Sequence, residues 1–342
     1  MALGGDCEKC ILSESRRIVI LGKTGAGKSS LANTISGQRL FKVNHTPKSG
    51  TSECQAETIY VKGRRLTLID TPGFFDTITP EESLKPEIVR CITECAPGPH
   101  AFLILLKVEK FSEHERAVID KIKGYLSEEA FRYATVVFTH GDQLQEGHTI
   151  EDFIHEDENL RDLVQKCGGR CAVIDNKYWD KKDEDRSNEV QVEKLLKVTD
   201  KMIKDNKNGC YTNETLLAVE EKIQQEIKII KQDQQSGSVM SVQKIETKAK
   251  RSVWKKLLTK LIGITVGALL GAFFGAAIMV GVAFRRNSQA PSVITLAASA
   301  AVGAVIGGGV GYVAASGAET PKEAAKKAAK AVKAVYEESV LA

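Results

Sequence analysis

The chain has 342 residues, of which 42% are hydrophobic and 27% charged, and its formal net charge is +4. This composition is that of a folded protein, which excludes wholesale disorder, and the length accommodates one domain of about 200 residues plus a substantial appendage. The net charge is small and no zinc-finger, RRM or helix-turn-helix pattern occurs, so we expect no nucleic-acid partner.

The first 15 residues are polar and lack periodicity, which predicts a flexible N-terminal arm over residues 1–15. Because no long apolar run opens the chain, we expect no signal peptide, a reducing compartment and free thiols for the eight cysteines. Cys7 and Cys10 form one C-x-x-C pair without a second pair at ligand spacing, so we interpret it as part of the arm and not as a metal site.

Short apolar runs alternate with helix-length amphipathic stretches over residues 16–210. This alternation predicts an α/β fold, a P-loop NTPase G domain with a mostly parallel sheet flanked by helices. A turn at residues 62–64 predicts one antiparallel hairpin. The runs are Ile18–Leu21, Thr58–Val61, Leu66–Ile69, Phe102–Leu106, Thr135–Phe138 and Ala172–Ile174, and helices are expected after residues 28, 81, 112, 150 and 188.

The segment after the first apolar run matches the phosphate-binding pattern G-x-x-x-x-G-K-[ST] at every fixed position and opens a helix. Its glycines let successive backbone N–H groups point at phosphate oxygens, and the helix N-terminus adds a positive dipole end. Lys28 is predicted to reach the β- and γ-phosphates and Ser29 to ligate Mg²⁺. The predicted phosphate-binding residues are Gly22, Lys23, Thr24, Gly25, Ala26, Gly27, Lys28, Ser29, Ser30 and Gly73.

A second motif, Asp70-Thr71-Pro72-Gly73, ends the strand pair that follows. A carboxylate at that place is predicted to hold Mg²⁺ through water, and the amide of Gly73 is predicted to approach the γ-phosphate. A Ser- and Thr-rich loop lies between the two motifs and is interpreted as switch I. In it Thr51 is expected to sense the γ-phosphate and to complete the metal site, with Ser52 as the alternative.

The residues after the fifth apolar run are predicted to select the base. The carboxylate of Asp142 can accept hydrogen bonds from N1–H and the 2-amino group of guanine, a pair of donors that adenine does not offer. His140 and Asn176 complete the predicted guanine-binding set. G domains usually carry N-K-x-D here, whereas this chain has Thr139 and His140 in place of Asn and Lys, so these residues alone leave the preference for guanine open.

Residues 211–256 are polar and helix-prone, which predicts a helical extension. One helical face carries Leu216, Val219, Ile223, Ile227 and Ile230. The heptad pattern is too short for a long coiled coil, so we expect this face to pack on the nucleotide domain or on a partner.

Two charge-free runs follow, Leu261–Phe284 with 24 residues and Val293–Ala318 with 26. Each exceeds the roughly 20 residues that cross a bilayer, and small residues recur in each at every fourth position, which favours close packing of two helices in lipid. We therefore predict a transmembrane helical hairpin over residues 257–318, spanning or re-entrant, and a basic helical cytosolic tail over residues 319–342. The alternative is a buried pair of Gly- and Ala-rich core helices.

Lysines and arginines flank both ends of the predicted hairpin. Because cytosolic flanks carry an excess of these residues, we expect both ends, and the nucleotide domain with them, on the cytosolic face of an intracellular membrane. A lipid bilayer is thus a predicted partner, and the sequence does not indicate which organelle it belongs to.

Several motifs together resemble the immunity-associated GTPases of the GIMAP family, relatives of the septins and of the chloroplast import GTPases. They lie at residues 70–76, 99–106, 111–115, 138–144 and 167–176, and the resemblance covers about residues 15–210. In this family Thr-Arg or Thr-His replaces Asn-Lys in the guanine motif, so the resemblance implies binding of GTP and GDP with Mg²⁺. It also implies GTP-dependent homodimers or oligomers, association with related family members, and a role in immunity.

The resemblance further implies slow hydrolysis by a single chain. Ras-like enzymes carry a water-orienting Gln shortly after D-x-x-G, whereas Phe74 and Phe75 follow Gly73 here. A partner chain must then supply the missing group, for which His100 and Glu113 are candidates, although a structural role is favoured for each. The expected function is a membrane-anchored guanine-nucleotide switch or scaffold, and the alternatives are a dimer-activated GTPase that remodels membranes and a pore-forming membrane protein.

Overall fold

The computed structural model describes residues 15–43, 53–75, 80–109, 113–175, 187–233, 240–261 and 264–275. The strands in these ranges are β1 (Arg16–Gly22), β2 (Gln55–Val61), β3 (Arg64–Asp70), β4 (Ala101–Lys107), β5 (Ala134–Thr139) and β6 (Cys171–Ile174). The helices are α1 (Lys28–Ser36), α2 (Glu81–Cys95), α3 (Glu113–Tyr125), α4 (Glu128–Phe131), α5 (Ile150–His155), α6 (Glu158–Lys166), α7 (Asn188–Asp205), α8 (Glu214–Asp233), α9 (Val242–Lys260) and α10 (Val266–Phe274), with a 3₁₀ turn at Gly141–Gln143.

The strands form one sheet in the order β2-β3-β1-β4-β5-β6. Only β2 runs antiparallel to its neighbour, and it joins β3 through a turn in which Lys62 and Gly63 both have positive φ, 48° and 76°. Each predicted apolar run lies within a strand, and the inner strands β1, β4 and β5 are almost wholly buried, as parallel strands covered on both faces are. The predicted G-domain architecture is therefore confirmed for this part of the chain.

The described residues fall into two compact units. Unit 1 holds those up to residue 79 and from 98 to 211, and unit 2 holds those from 80 to 97 and from 212 onward. Helix α2 thus belongs to the same unit as the C-terminal helices, although it lies between β3 and β4 in the sequence. The sequence alone gave no sign of this grouping.

The core of unit 1 lies between the sheet and its covering helices. Ile20, Leu103 and Val137 from three neighbouring strands are buried together with Leu31 of α1 and Leu195 of α7. All six cysteines in the described ranges are free thiols, as predicted, and Cys7 and Cys10 lie outside those ranges.

In unit 2, α8 packs against α2 and α9. Four residues of its predicted apolar face, Leu216, Val219, Ile223 and Ile230, are buried, and each such burial stabilises the fold by about 1.5–3 kcal/mol. The indole of Trp254 in α9 donates to the carbonyl oxygen of Pro86 at 3.0 Å. Helix α9 continues across residues 256 and 257, where the sequence had placed a boundary.

The described part of the first charge-free run contains the short helix α10, which ends before Gly275. The hydroxyl of Thr265 accepts from the Ala268 amide at the start of α10, and Gly275, with φ 84°, ends the helix in the left-handed conformation. The side-chain amide of Asn213 donates to the carbonyl oxygens of Ala272 and Phe273, both at 3.0 Å. Phe273 and Phe274 are fully buried.

This arrangement differs from a continuous span over residues 261–284. None of the helices in the described ranges is long and apolar enough to cross a membrane. Residues 264–275 instead fit the buried core helix that the sequence left as the alternative. The rest of the predicted hairpin and the basic tail, residues 276–342, lie outside the described residues.

Candidate functional site

The phosphate-loop pattern lies where β1 ends and α1 begins, at the carboxyl edge of the parallel strands. Gly22 has φ 147°, and a Cβ there would lie 2.6 Å from the carbonyl oxygen of Leu105. Gly27, with φ 90°, occupies the left-handed conformation directly before α1. These two positions require glycine, and the loop they allow turns the chain back over the N-terminus of a helix, which is where anions bind.

The ammonium group of Lys28 lies inside this loop. It donates to the carbonyl oxygens of Gly22 at 3.0 Å and Lys23 at 2.8 Å, and the residue is only 5% exposed. A buried ammonium held by two carbonyl oxygens is fixed in position before any anion arrives. This is the predicted role of Lys28, a preorganised partner for the terminal phosphates.

Ser29 and Asp70 meet beside Lys28. The Ser29 hydroxyl donates to Oδ2 of Asp70 at 2.5 Å, while Oδ1 of Asp70 is buried without a hydrogen-bond partner among the described residues. Burial raises the pKa of the Asp70 carboxyl, and the Ser29 hydrogen bond and the Lys28 charge oppose that shift. A hydroxyl and a carboxylate with an unpaired buried oxygen are oxygen donors of the kind that Mg²⁺ takes, so the residues present fit this ion.

No group of three or more His, Cys, Asp or Glu side chains in the described ranges is arranged to hold a metal by itself.

The motif residues after Asp70 pack inward. Thr71 donates its hydroxyl hydrogen to the carbonyl oxygen of Ile20 at 2.7 Å, which ties the end of β3 to β1. Gly73 is buried next to the phenylalanines that follow it, and Phe74 and Phe75 are 3% and 0% exposed. A phenylalanine side chain has no polar atom that could orient a water molecule, and both of these side chains are buried. This agrees with the expectation that neither of them activates water.

Thr139 has a role that the sequence analysis did not assign. Its hydroxyl is fully buried and lies 3.0 Å from the carbonyl oxygen of Ala26 and 3.3 Å from that of Leu106. It also lies 3.1 Å from Nδ1 of His140, which donates to it in one tautomer. One hydroxyl therefore joins β5, β4 and the phosphate loop, so the replacement of Asn by Thr keeps a polar tether between the base loop and the phosphate loop.

The base loop itself has a strained backbone. His140 adopts the left-handed conformation with φ 60° and ψ 45°, which is uncommon for a non-glycine residue. Gly141 follows with no room for a side chain, since a Cβ there would lie 2.6 Å from Cγ1 of Val173. Asp142 is exposed, and its Oδ2 accepts from the side-chain amide of Gln143 at 3.0 Å. Its carboxylate is thus presented at the surface, where it is accessible to a ligand.

The side chain of Lys23 was missed as well, because the sequence predicted only a phosphate contact for this residue. The structure directs its ammonium to two carboxylates, Glu109 after β4 at 2.8 Å and Glu115 in α3. Burial alone would lower the pKa of Lys23, but the hydrogen bonds that it donates to both glutamates raise the pKa above its ordinary value. These pairs join residues 86 and 92 positions apart, so sequence spacing gave no sign of them.

The remaining predicted residues lie away from the site, at the surface or outside the described residues. His100 precedes β4, and its Nδ1 accepts from the amide of Arg17 at the start of β1. It therefore lies at the opposite end of β1 from Gly22, a position that favours the structural interpretation of His100 over a part in hydrolysis. Glu113 begins α3 and is exposed. Thr51, Ser52 and Asn176 lie outside the described residues, so their assignments stay predictions.

Comparison with known proteins places this geometry in a family. Residues 16–235 match the sequence profile of the AIG1 family. Immune-associated nucleotide-binding protein 8 of Arabidopsis thaliana is 36% identical over 211 residues, 60% of this chain and 58% of that protein. GTPase IMAP family member 8 of Mus musculus is 34% identical over 181 residues, 53% of this chain and 25% of that protein. The match thus spans less than two thirds of either relative.

Among solved structures, Toc33 from Arabidopsis thaliana in complex with GDP and Mg²⁺ is similar to this chain with a TM-score of 0.46 at 17% identity. The similarity covers 60% of this chain and 91% of that one.

Proposed function

Because the chain belongs to the AIG1 family, we propose that it is a guanine-nucleotide-binding switch or scaffold that binds GTP and GDP with Mg²⁺. On GTP binding it dimerises or oligomerises on the cytosolic face of an intracellular membrane, and it hydrolyses GTP slowly by itself. Its relatives are named as a nucleotide-binding protein and as a GTPase, which supports a guanine nucleotide as the ligand.

The observation that carries the proposal is the group formed by Lys28, Ser29 and Asp70. Lys28 is held by two loop carbonyl oxygens, and Ser29 donates to an aspartate whose other oxygen is buried and unpaired. Ser29 and Asp70 would hold Mg²⁺, directly or through water, and Thr51 is proposed from the sequence as a further ligand. The bound ion would neutralise negative charge on the phosphates.

The base is read by Asp142. Its exposed carboxylate accepts from the two donors on the guanine edge, while Thr139 holds the base loop to the phosphate loop through the carbonyl oxygen of Ala26. A carboxylate in this place rejects adenine, since adenine cannot supply both donors. His140 and Asn176 are proposed to complete the contact with the base.

Slow hydrolysis follows from the side chains after Gly73. Phe74 and Phe75 are buried and apolar, so the group that orients the attacking water must come from elsewhere. We propose a second copy of this chain, or a related family member, as its source. Bound GTP would then order the loops that carry Thr51 and Gly73 and thereby create the surface on which two copies meet.

Support for a membrane comes from the sequence of the charge-free runs and from one surface of α9. Four cations, Lys244, Lys248, Arg251 and Lys255, lie at successive spacings of four, three and four residues, so they form one exposed stripe along the helix. No salt bridge to them occurs in the described part of the chain. Each such charge near an anionic lipid surface contributes about 1 kcal/mol.

The apolar face of α9, with Ile245, Ala249, Val253 and Leu257, is buried within the protein. Helix α9 can therefore meet lipid headgroups through its charges but not insert. We propose that residues beyond 275 provide the anchor. Deleting residues 276–320, which leaves α10 intact, is expected to move the protein to the soluble fraction, and its persistence on membranes would contradict the anchor.

Hydrolysis measurements distinguish a switch from an enzyme whose purpose is turnover. GTP hydrolysis per molecule is measured for the full chain in detergent over a wide range of protein concentration, with Lys28→Ala as the control for contaminating activity. A low rate that does not change with concentration supports the switch. A rate that rises steeply with concentration supports dimer-activated turnover.

A further inference from the structure

The ion cluster at Lys23 is built more firmly than a surface salt bridge. Lys23 donates to Glu109 at 2.8 Å and to Glu115, and the side chains of Lys23 and Glu115 are only 17% and 12% exposed. Exposed ion pairs contribute little to stability because water screens them and their side chains lose freedom. A half-buried ammonium between two carboxylates is less screened and is fixed from two sides.

The backbone of the same residue holds Lys28. The carbonyl oxygen of Lys23 accepts from the Lys28 ammonium at 2.8 Å and from the amide of Ala26 at 3.2 Å. This peptide group is therefore one of the two, with that of Gly22, that hold the Lys28 ammonium in place. Because the side chain of Lys23 is anchored on Glu109 and Glu115, the anchor also fixes the peptide group that positions Lys28.

The geometry points to Lys23, Glu109 and Glu115 as a clasp that positions Lys28 and sets the preference of the site for a nucleoside triphosphate over a diphosphate. This inference rests on the proposed nucleotide function. Lys23 is a positioning residue in it, since it acts through Lys28.

The net charge of the clasp should change the affinity of the site for nucleotides. Two carboxylates and one ammonium carry a net charge of −1, and without the ammonium they carry −2 beside a polyanion. GTP has one more phosphate than GDP, and this γ-phosphate is one of the two that Lys28 is expected to reach. Loss of the Lys23 charge should therefore penalise GTP more than GDP, because like charges repel more strongly the closer they lie.

Loss of one carboxylate should act in the opposite direction. With Glu115 neutral, Lys23 still pairs with Glu109 and the net charge of the cluster becomes zero. Affinity for GTP should then rise relative to GDP. A clasp that only stabilised the fold would predict neither this opposite sign nor any difference between the two nucleotides.

The test measures dissociation constants of the full chain for GTP and for GDP, both with Mg²⁺, in four single variants and one double variant. Lys23→Met removes the charge and keeps the length of the side chain, whereas Lys23→Arg restores the charge. Glu115→Gln neutralises one carboxylate. Lys62→Met is the matched control, since Lys62 pairs with Glu189 at 3.2 Å on the hairpin between β2 and β3.

We expect Lys23→Met to weaken GTP binding about tenfold and GDP binding no more than about threefold, with Lys23→Arg close to the unaltered protein. Glu115→Gln should raise the ratio of GTP to GDP affinity about two- to threefold, and Lys62→Met should leave both affinities unchanged. The double variant Lys23→Met/Glu115→Gln should recover most of the lost GTP affinity, because it leaves one carboxylate unpaired and not two.

Equal losses for GTP and GDP in Lys23→Met, or an unchanged ratio in Glu115→Gln, would overturn the clasp while leaving the proposed function in place. Failure of the unaltered protein to bind either nucleotide would instead overturn the proposed function. If Lys23→Met does not fold, Glu115→Gln still decides, since it keeps the pair between Lys23 and Glu109.

Discussion

Replacing Thr139 with valine removes one buried hydroxyl and nearly preserves the shape of the side chain. The hydroxyl lies 3.0 Å from the carbonyl oxygen of Ala26 and 3.1 Å from Nδ1 of His140. In the variant that carbonyl oxygen loses this partner in a place that is fully buried. Leaving one buried polar group unpaired costs about 1–3 kcal/mol.

Part of this cost should appear as lost nucleotide affinity, because the tether joins the base loop to the phosphate loop. If about 1.4 kcal/mol of it falls on binding, affinity drops about tenfold. The loss should be equal for GTP and GDP, since the tether lies on the side of the base and not of the γ-phosphate. Fluorescent guanine nucleotides titrated into the full chain measure it.

Thr139→Ser keeps the hydroxyl and is the matched control. It should bind within about twofold of the unaltered protein. Nucleotide affinity in Thr139→Val equal to that in Thr139→Ser would refute the argument that this hydroxyl organises the site.

Three further outcomes are expected. Asp142→Asn should weaken GTP binding about 100-fold or more, since two hydrogen bonds to a charged acceptor are lost at about 1.5–3 kcal/mol each. An unchanged GTP affinity of this variant, measured in competition with ATP, would contradict the base assignment. Burial and the nearby Arg17 and Arg16 lower the pKa of His100 from 6.5 to about 4, so the unfolded chain binds the extra proton first and stability is lost as pH falls from about 6.5 toward 4. Acidification from pH 7.5 to pH 5 should lower the free energy of unfolding by about 2 kcal/mol through this group. If the urea midpoint of His100→Gln falls between these two pH values as far as that of the unaltered protein, the assignment to His100 is wrong. Asn213→Ala should destabilise unit 2 by about 1–2 kcal/mol, since Asn213 caps the N-terminus of α8 and donates to two carbonyl oxygens of α10. If amide hydrogen exchange at residues 268–274 is as slow in this variant as in the unaltered protein, the prediction is wrong.

The phosphate loop was predictable because its chemistry depends on local backbone conformation. Glycine spacing, a preceding apolar strand and a following helix are all local in the sequence, and Gly22, Lys28 and Ser29 lie where the pattern placed them. Asp70 was also within reach, since the end of a strand pair marks the sheet edge that carries the site.

The tether at Thr139 and the clasp at Lys23 could not be predicted in the same way. Thr139 meets Ala26 across 113 positions, and Lys23 meets Glu115 across 92. Such contacts depend on which strands are neighbours and on side-chain direction, and neither is read from spacing. The only signal was the unusual Thr-His in the guanine motif, which indicated a changed role but not the new partner.

The helix at residues 266–274 shows why a charge-free run does not define a span. Gly263, Gly267, Gly271 and Gly275 recur at one spacing, which the sequence analysis interpreted as a packing face in lipid. In the structure Gly275 adopts the left-handed conformation that ends a helix, and Thr265 caps its start. A repeat of glycines is therefore compatible with a packing face or with helix ends, and local backbone conformation decides between them.

The proposed function depends on a Mg²⁺-dependent guanine-nucleotide site built on Lys28, Ser29 and Asp70. The most direct measurement is calorimetric titration of GTP into the full chain and into Lys28→Ala, each with Mg²⁺ and with a chelator. We expect saturable binding by the unaltered protein that weakens when Mg²⁺ is removed, and no measurable binding by Lys28→Ala. Tight GTP binding by Lys28→Ala would contradict the account.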